Sequence, residues 1–282
     1  MLMLAPPPRR VPVSLQIANI FNGFAQVGWA VFGFSMIFFW VFGMNGDYSF
    51  LTFHGARATA RGTVTNVEST GASENERTVM ANHYEYSVAG RTFRGTSYST
   101  GWSANTGDSV TVEYMEANPL RSRIEGMRRA LFGPGVAFVV IFPLIGLGLL
   151  IPATRSGLRR NRLLREGLLT TGTLSGRRDT NMRVNKQPVW ELTFDFVTRD
   201  GRRAQAKARA TDTYRLEDEA REPLLYDPEN PERAYVLDEV PLRPRIEAGG
   251  ELRGRLGSAL RSLILPAMIV AGHGMFLLLK LT

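Results

Sequence analysis

The amino-acid sequence predicts an integral membrane α + β protein, with three transmembrane helices and two duplicated small antiparallel β-domains. Two observations lead to this fold class. The chain contains three long apolar runs without charge, and the two polar segments between them share strand and turn landmarks in the same order. Each β-domain has several short strand-like runs separated by turns, which is typical of a small five-stranded barrel or sandwich.

The apolar runs approach or exceed the roughly 20 residues that a helix needs to cross the hydrocarbon core. They lie at residues 27–44, 130–153 and 262–282, the last uncharged as far as Lys280. A buried helix of a soluble protein rarely lacks charge on every face for so long. The first helix is expected to begin earlier, within the amphipathic stretch Ser14 to Gln26. Pro143 and Pro266 predict kinks, which neighbouring helices in a membrane can accommodate.

The spans divide the rest of the chain into four segments. These are an N-terminal segment and amphipathic lead-in at 1–26, a first β-domain at 45–129, a second β-domain at 154–240, and a basic linker at 241–261. The N-terminus has prolines and arginines before its apolar run and no small-residue cleavage site after it. We therefore interpret it as an uncleaved signal anchor.

Arginine placement predicts the orientation. Arg9 and Arg10 precede the first span, five arginines at 155–165 follow the second, and three at 253–261 precede the third. The positive-inside rule then places the N-terminus and the second β-domain in the cytoplasm, and the first β-domain and the C-terminus outside. Four arginines at 121–129 oppose this assignment, but charge in a long loop weighs less.

Composition limits the partners and the chemistry. Arginine accounts for 31 of the 34 basic residues, a bias typical of GC-rich bacterial genomes, so we expect a bacterial cytoplasmic (inner) membrane protein. Much of the net charge of +8 lies beside the spans, which favours anionic lipid headgroups over nucleic acid as a partner. The absence of cysteine excludes disulfides, thiol catalysis and cysteine-ligated metals. No cofactor, metal site or catalytic residue is predicted.

The two β-segments read as copies of one another. Gly62-Thr63-Val64 aligns with Gly172-Thr173-Leu174, and the alternating strand Tyr84 to Val88 aligns with Phe194 to Phe196. Turns follow at Ala89-Gly90 and Asp200-Gly201, and the copies close on Tyr114 to Pro119 and Tyr226 to Pro231. The tyrosine and the Asn-Pro turn are expected to form a structural corner, because the residue before proline is forced to be extended.

With these motifs the chain resembles a widespread bacterial membrane family catalogued only as a domain of unknown function. The resemblance runs from about Arg57 to Asp238, twice over, and includes the Tyr-Asp-Pro-Glu-Asn-Pro turn at Tyr226. The first copy departs from that turn, with Met115, Glu116 and Ala117 between Tyr114 and Asn118. The family has no established active site, so the resemblance implies no catalytic residue.

His273 is the weak candidate for a cofactor-binding residue. It lies inside the third span between Gly272 and Gly274, where an intramembrane ionisable group suggests function. Tetrapyrrole ligation is one interpretation, and a hydrogen bond to a neighbouring helix is the commoner one. His54 and His83 lack metal-ligand spacing. The acidic run Glu217–Glu219 is expected to be solvated surface, and the sequence Gly172 to Gly176 is not a Gly-x-Ser-x-Gly elbow.

These features favour a non-enzymatic accessory or scaffolding subunit that acts through protein–protein contacts in a larger membrane complex. Glycines of the second and third spans, with Ala267 and Ala271, are expected to contact another subunit, a lipid or a pigment held in that complex. An envelope sensor is the alternative, which a ligand pocket in the first β-domain would favour. A membrane-bound hydrolase ranks third, and clustered carboxylates with shifted pKa values in one cleft would favour it.

Overall fold

The computed structural model describes residues 4–239 and 245–281. Residues 1–3 of the N-terminal segment, residues 240–244 at the end of the second β-domain and start of the basic linker, and Thr282 of the third span lie outside the described residues. The chain forms two compact units. One comprises Phe34–Leu144, and the other comprises Met1–Gly33 together with Ile145–Thr282.

Three helical segments are long and apolar enough to cross a membrane. They are Phe24–Asn45, Pro134–Glu166 and Ala259–Lys280. Uncharged apolar side chains can face lipid on every side, which is why so little of these helices needs to be buried in the protein. The α-helices are α1 Val13–Phe21, α2 Phe24–Val41, α3 Ser49–Thr52, α4 Ile141–Glu166 and α5 Leu256–Leu281.

The first span, α2, begins at Phe24, within the stretch Ser14 to Gln26 where it was expected to begin. The rest of the amphipathic lead-in forms a separate helix, α1. Asn22 is extended, and Gly23 follows with a φ of 59°, in the left-handed region that glycine adopts without steric cost. The side-chain oxygen of Asn22 accepts a hydrogen bond of 2.8 Å from the Gly23 N–H. This Asn-Gly pair therefore ends α1 and lets the span begin in a new direction.

The second span starts and ends later than its apolar run. A 3-10 helix at Pro134–Val140 precedes α4, and α4 continues past Ala153 to Glu166. Pro143 lies in the first turn of α4, where backbone N–H groups lack a helical partner in any case. The proline in the interior of α4 is Pro152, and Pro266 lies in the interior of α5. The kinks at Pro143 and Pro266 stay predictions.

The unit Phe34–Leu144 contains the first β-sheet. Its five antiparallel strands pair in the order β3-β2-β1-β4-β5. The inward-facing side chains form one core around Tyr84 and Tyr86, two residues apart on the second strand, because alternate residues of a strand share a face. The strands are β1 Arg57–Glu74, β2 Arg77–Val88, β3 Arg91–Thr100, β4 Ser109–Met115 and β5 Asn118–Ile124.

This sheet is curled but not closed into the barrel that was one of the two predicted forms. The edge strands β3 and β5 are not neighbours in the hydrogen-bonded order of the described strands. The two edges meet at separate points instead: Ile124 N–H donates to Ser97 Oγ over 2.8 Å, and Tyr98 forms an isolated backbone bridge with Arg128. These contacts do not form a continuous backbone ladder between β3 and β5. The first uses the Ser97 side chain, and the second uses Arg128, which lies after the end of β5.

The second β-sheet belongs to the other unit and repeats the same strand order. Read from the β8 edge, its order is β8-β7-β6-β9-β10, which is again third-second-first-fourth-fifth when its strands are counted from the N-terminus. Leu192, Phe194 and Phe196 alternate on its second strand and enter its core. The strands are β6 Leu168–Val184, β7 Gln187–Val197, β8 Arg203–Ala210, β9 Glu222–Tyr226 and β10 Ala234–Val236, followed by the small pair β11 Arg245–Ile246 and β12 Leu252–Arg253.

The registers of the two sheets also correspond. Gly62 pairs with Tyr86 and Gly172 with Phe196. Each first strand has two irregularities, between Val64 and Asn66 and between Ser69 and Ser73 in β1, and at the positions 110 residues later in β6. The landmark glycines, aromatic strands and turns therefore have the same places in both sheets.

A second apolar cluster joins the N-terminal segment to the outer side of the second sheet. Leu15 of α1 and Leu164 near the end of α4 are fully buried there beside Leu225 and Tyr235. Asn19 of α1 donates a hydrogen bond of 2.7 Å to Asn161 of α4. The apolar face of α1 thus packs against the second β-domain and the end of α4.

Candidate functional site

His273 is hydrogen-bonded to the first span. Its Nε2 lies 3.1 Å from the carbonyl oxygen of Gly33, and because a carbonyl only accepts, the ring donates the proton. Gly33 permits this approach: a Cβ added there would lie 2.5 Å from Ile269, one helical turn before His273. The geometry is that of a helix–helix contact, and tetrapyrrole ligation by this residue stays a prediction.

Glycines also let the first and second spans approach closely. A Cβ on Gly28 would lie 2.9 Å from Leu150, and one on Gly146 would lie 2.6 Å from backbone atoms of Phe32. Gly28 and Phe32 are four residues apart and share a face of α2. The first span therefore contacts the second span on one face and the third span, through Gly33, on another.

Four glycines of the second and third spans are open. A Cβ added at Gly135, Gly148, Gly272 or Gly274 would meet no described atom within 4 Å. A Cβ added at Gly133, outside the helical part of the second span, would lie 3.2 Å from the Arg128 side chain. Of the glycines predicted to contact a partner, Gly146 and Gly133 therefore lie against other parts of the chain, and the other four are open.

The polar-segment histidines stand apart from one another. His83 contacts Glu68 through Nε2 at 3.1 Å and Thr96 through Nδ1 at 3.0 Å, on the exposed side of the first sheet. His54 is exposed before β1. Among the described residues, the side chains that could together hold a metal ion are Asp218, Glu222 and Asp238 of the second β-domain. Neither histidine belongs to this group.

The two landmark tyrosines occupy corresponding positions at the ends of β4 and β9. Tyr114 pairs with Ala58 and Tyr226 with Leu168, each four residues before the landmark glycine. The Tyr226 hydroxyl accepts a hydrogen bond of 2.8 Å from the N–H of Arg199. These contacts give Tyr226 the structural role of a corner.

The turn after Tyr226 is closed by local hydrogen bonds. Asp227 Oδ1 accepts from the Glu229 N–H at 3.1 Å, and Asn230 N–H donates to the Asp227 carbonyl at 3.1 Å. Asp and Asn residues close turns in this way through their side chains and carbonyls. The Tyr-Asp-Pro-Glu-Asn-Pro motif therefore shapes the chain.

A groove of about 1670 Å³ lies between α4 and the second sheet. It reaches Gly23 and Phe24, so it borders the start of the first membrane-compatible helix. Basic side chains line it from both sides: Arg159, Arg160 and Arg162 from α4, Arg183 from β6, Lys207 and Arg209 from β8, and Arg233.

Part of this positive charge is neutralised locally. Glu191 is 5% exposed and receives ion pairs from Arg178 at 2.9 Å and Arg209 at 2.7 Å. The hydrogen bond from Arg209 and the charges of both arginines hold the pKa of Glu191 below its usual value, although burial opposes the shift. Arg159 and Arg160 lie on the α4 side of the same groove.

The first sheet has a smaller recess of about 620 Å³ beside its Glu74–Arg128 ion pair. Glu74 joins that pair at 2.5 Å and also accepts a hydrogen bond of 2.9 Å from the Gly133 N–H. These hydrogen bonds lower the pKa of Glu74 in spite of the burial that opposes them. The recess is thus built around a structural ion pair that ties β1 to the start of the second span.

In the acidic run Glu217–Glu219, which was expected to be surface, neighbouring residues have different partners. Glu217 is held by Arg177 at 3.3 Å and by the Thr213 hydroxyl at 2.9 Å. Asp218 instead lies with Glu222 and Asp238, their ligand atoms all within 4.8 Å of one another. Ser175 of the Gly172–Gly176 segment donates to a strand carbonyl, that of Thr193, at 3.3 Å.

Two carboxyl groups that sequence reasoning missed have raised pKa values. Burial and the neighbouring charges of Asp238, Asp218 and Glu219 raise the pKa of Glu222 to about 7. Burial raises the pKa of Glu239 to about 7 although Arg160 and Arg209 oppose the shift. A signal for Glu222 was present in the repeat, because it occupies the register position of Val110 in the first sheet.

Fold and candidate sites together define an α + β protein with three membrane-compatible helices and two five-stranded antiparallel sheets of the same strand order. A family model described as "Domain of unknown function (DUF3592)" matches residues 60–129, which cover most of the first sheet. This match agrees with the resemblance to a family of unknown function. No curated protein and no solved structure matches the chain.

Proposed function

We propose that this protein is a non-enzymatic accessory or scaffolding subunit of a larger complex in the bacterial cytoplasmic (inner) membrane. It acts through protein–protein contacts made by its spans and β-domains. The observation that supports this function is the unequal use of small residues in the third span. Ile269 and His273 contact the first span, whereas Ala267, Ala271 and Gly274 lie nearly opposite on the same helix.

The spacing of these residues defines the two faces. At about 100° per residue, Ala267, Ala271 and Gly274 share one face of α5, about 150° from the face of Ile269 and His273. Ala267 and Ala271 are exposed in this chain. In a bilayer, small residues associate helices because they let backbones approach closely, whereas large apolar residues pack equally well against lipid. This face is therefore suited to a helix of another subunit.

Anionic lipid headgroups are the second proposed partner. The groove beside α4 has Arg159, Arg160 and Lys207 in its lining and borders the first residues of α2. Arginines beside a span are attracted to anionic lipids at the cytoplasmic surface. This location supports a cytoplasmic second β-domain, with the first β-domain and the C-terminus outside. Arg9 supports the same side for the N-terminus, since it bonds to the end of α4.

An internal duplication accounts for the two β-domains. The shared strand order, the matching irregularities of β1 and β6 and the equivalent positions of Tyr114 and Tyr226 support it. A duplicated module provides two similar docking surfaces, one before and one after the second span along the chain. This arrangement suits a subunit that connects partners. The two copies differ at one register position, where the second has the buried carboxyl group of Glu222 and the first has Val110.

The test is purification from native membranes in mild detergent, with identification of co-purifying chains, lipids and pigments. Wild-type protein is expected to migrate within an assembly larger than the chain. Gly274→Leu and Ala271→Leu should release it, because both place a bulky side chain on the proposed face. A Cβ at Gly274 meets no described atom of the chain within 4 Å, and Ala271 is exposed. Val270→Leu is the matched control, since Val270 is 60% exposed and already bulky.

Protease resistance of the β-domains distinguishes release from unfolding. The released Gly274→Leu and Ala271→Leu variants should keep the wild-type pattern of protected fragments, because both sheets lie outside the substituted span. A monodisperse monomer from native membranes, with no co-purifying chain, contradicts the scaffold function. A retained assembly in both Gly274→Leu and Ala271→Leu contradicts the proposed face.

A membrane-bound hydrolase is the second candidate function, and the groove supports it. Asp238 and Glu239 line the groove, and the pKa of Glu239 of about 7 is suitable for a general acid. A panel of ester and phosphoester substrates tests this candidate. Turnover by the wild type that is lost in Glu239→Gln favours the hydrolase, and equal rates for the two proteins contradict it.

A further inference from the structure

The second β-domain brings three carboxylates together from separate parts of the chain. Asp218 comes from the connection between β8 and β9, Glu222 begins β9, and Asp238 follows β10 in a 3-10 turn. One ligand atom of each lies within 4.8 Å of those of the other two. Three acidic groups at this distance repel one another unless protons or a cation compensate their charge.

Glu222 is the buried member of the cluster. It is 1% exposed, and its Oε1 accepts a hydrogen bond of 3.2 Å from the Glu219 N–H. Its Oε2 is buried and has no hydrogen-bond partner among the residues that the structure describes. A buried carboxylate oxygen without a partner is costly, so proteins normally pair it or use it to coordinate a metal.

The sheet itself does not require a carboxylate at this position. Glu222 pairs with Gly172 as Val110 pairs with Gly62 in the first sheet. Along β9, Glu222, Leu224 and Tyr226 share a face, and the latter two are core residues of the domain. An apolar side chain would therefore complete the core here, which indicates that the carboxylate has another role.

The adjoining connection is held in place by its own contacts. Leu216, two residues before Asp218, is 3% exposed and packs in the core. Glu217 is bound by Arg177 and Thr213, so its charge is already compensated. The connection spans residues 211–221, whereas the corresponding one in the first sheet spans only residues 101–108. The extra length contains the acidic residues.

We propose that Asp218, Glu222 and Asp238 bind a hard divalent cation at the edge of the second β-domain. Carboxylate oxygens are the preferred ligands of Mg²⁺, Mn²⁺ and Ca²⁺. Oxygens bound to one cation with bonds of about 2.3–2.6 Å lie at most about 4.6–5.2 Å apart. Three oxygens within 4.8 Å of one another are therefore close enough to share one ion. Glu222 supplies an oxygen from the buried side of the site, and the exposed Asp218 and Asp238 supply oxygens from the solvent side.

The bound cation would fix the 211–221 connection and the end of β10 against β9. Asp238 also lines the groove beside α4, so the ion lies next to the proposed headgroup surface. The site is independent of the scaffold function, because its ligands all belong to one β-domain and none lies in a span. Loss of the assembly and loss of cation binding are therefore separate outcomes.

The experiment uses the full chain in detergent after removal of metals with EDTA. Thermal unfolding is measured with and without added Mg²⁺, Ca²⁺ or Mn²⁺. At a hundredfold excess over the Kd, a specific cation should raise the midpoint by roughly 5–10 °C. Binding of Mn²⁺ is measured directly from the loss of the free-ion electron paramagnetic resonance signal, with one equivalent expected.

Glu222→Gln should abolish the shift and the Mn²⁺ binding. In EDTA this variant should unfold at a higher temperature than the wild type, because it lacks the unpaired buried charge. Asp218→Asn, at an exposed position, tests the site without changing the core and should weaken binding at least tenfold. Glu229→Gln, an exposed carboxylate of the same domain, should behave as the wild type. Equal cation responses in Glu222→Gln and wild type, or no bound Mn²⁺ in the wild type, overturn the proposal.

Discussion

Arg9 donates a hydrogen bond of 3.1 Å to the carbonyl oxygen of Leu164, 155 residues further along the chain. A second bond, of 2.8 Å, goes to the carbonyl of Gly167, and the Arg9 N–H bonds to the Arg165 carbonyl. The last carbonyls of a helix lack partners within it and attract positive charge. Arg9 therefore caps α4, in addition to any influence on topology.

Arg9→Ala should destabilise the unit that contains the second sheet. The substitution leaves the capped carbonyls at the end of α4 without their charged donor, and we expect a loss of about 2–4 kcal/mol in free energy of unfolding. Arg10→Ala is the control. It removes the same charge as Arg9→Ala, but Arg10 is exposed. Chemical unfolding monitored by circular dichroism checks both variants, and equal losses contradict the capping role.

The orientation gives the second prediction. A reporter fused after Arg178 should be active only in the cytoplasm, and one fused near Ser73 only outside, since arginines flank the second β-domain at both ends. Alkaline phosphatase and green fluorescent protein fusions report the two sides. The reverse result for both fusions contradicts the orientation and leaves the three spans intact.

The strand pattern of both sheets was predictable because its signals are local. Alternation at Tyr84 and Tyr86, and at Phe194 and Phe196, fixes which side of each strand enters the core. The turn residues then set the pairing, and Ala89 and Gly90 have the positive φ values of 49° and 77° that a tight hairpin needs. Charge-free length was likewise enough to find the spans.

The carboxylate cluster was not predictable in the same way. Asp238 is 16 residues from Glu222, and its approach depends on how β9 and β10 pair. Isolated acidic residues are usually solvated, so no feature of the sequence distinguishes Asp218 from Glu217. The break between α1 and α2 is a different case, because its signal is local. Asn22-Gly23, just before the apolar run, is a recognisable helix-ending pair.

Packing of the first two spans gives the third prediction. Gly146→Leu should weaken the association of α2 with α4, because its Cβ would lie 2.6 Å from backbone atoms of Phe32, which cannot move aside as a side chain can. We expect a loss of about 1–3 kcal/mol from overpacking. Unfolding of the purified chain in mixed micelles measures it.

Gly148→Leu is the matched control for that experiment. It lies on the same helix two residues later, and a Cβ there meets no described atom within 4 Å. The purified chain should therefore be as stable as the wild type. Equal destabilisation by both substitutions contradicts the contact and points to a general effect of bulk in this span.

The last prediction concerns pH, and its sign follows from the raised pKa values of Glu222 and Glu239, both about 7. A carboxyl whose pKa is higher in the folded state than in the unfolded chain, where it is about 4.3, binds its proton more tightly when folded. Its contribution to stability is complete below the unfolded pKa and is lost as pH rises through the folded pKa. Stability in EDTA should therefore fall between about pH 4.5 and pH 8.

Substitution separates these two groups from the rest of the chain. Glu222→Gln and Glu239→Gln should each flatten the fall in unfolding midpoint between pH 5 and pH 8, and the double variant should remove most of it, because an amide does not titrate in this range. Glu191→Gln is the contrasting variant: the pKa of Glu191 is lowered, so its contribution is lost only as pH falls below the ordinary carboxyl range. Its midpoint should be lower than that of the wild type throughout pH 5 to 8, with the same slope. A wild-type midpoint that rises with pH over this interval in EDTA contradicts the assignment.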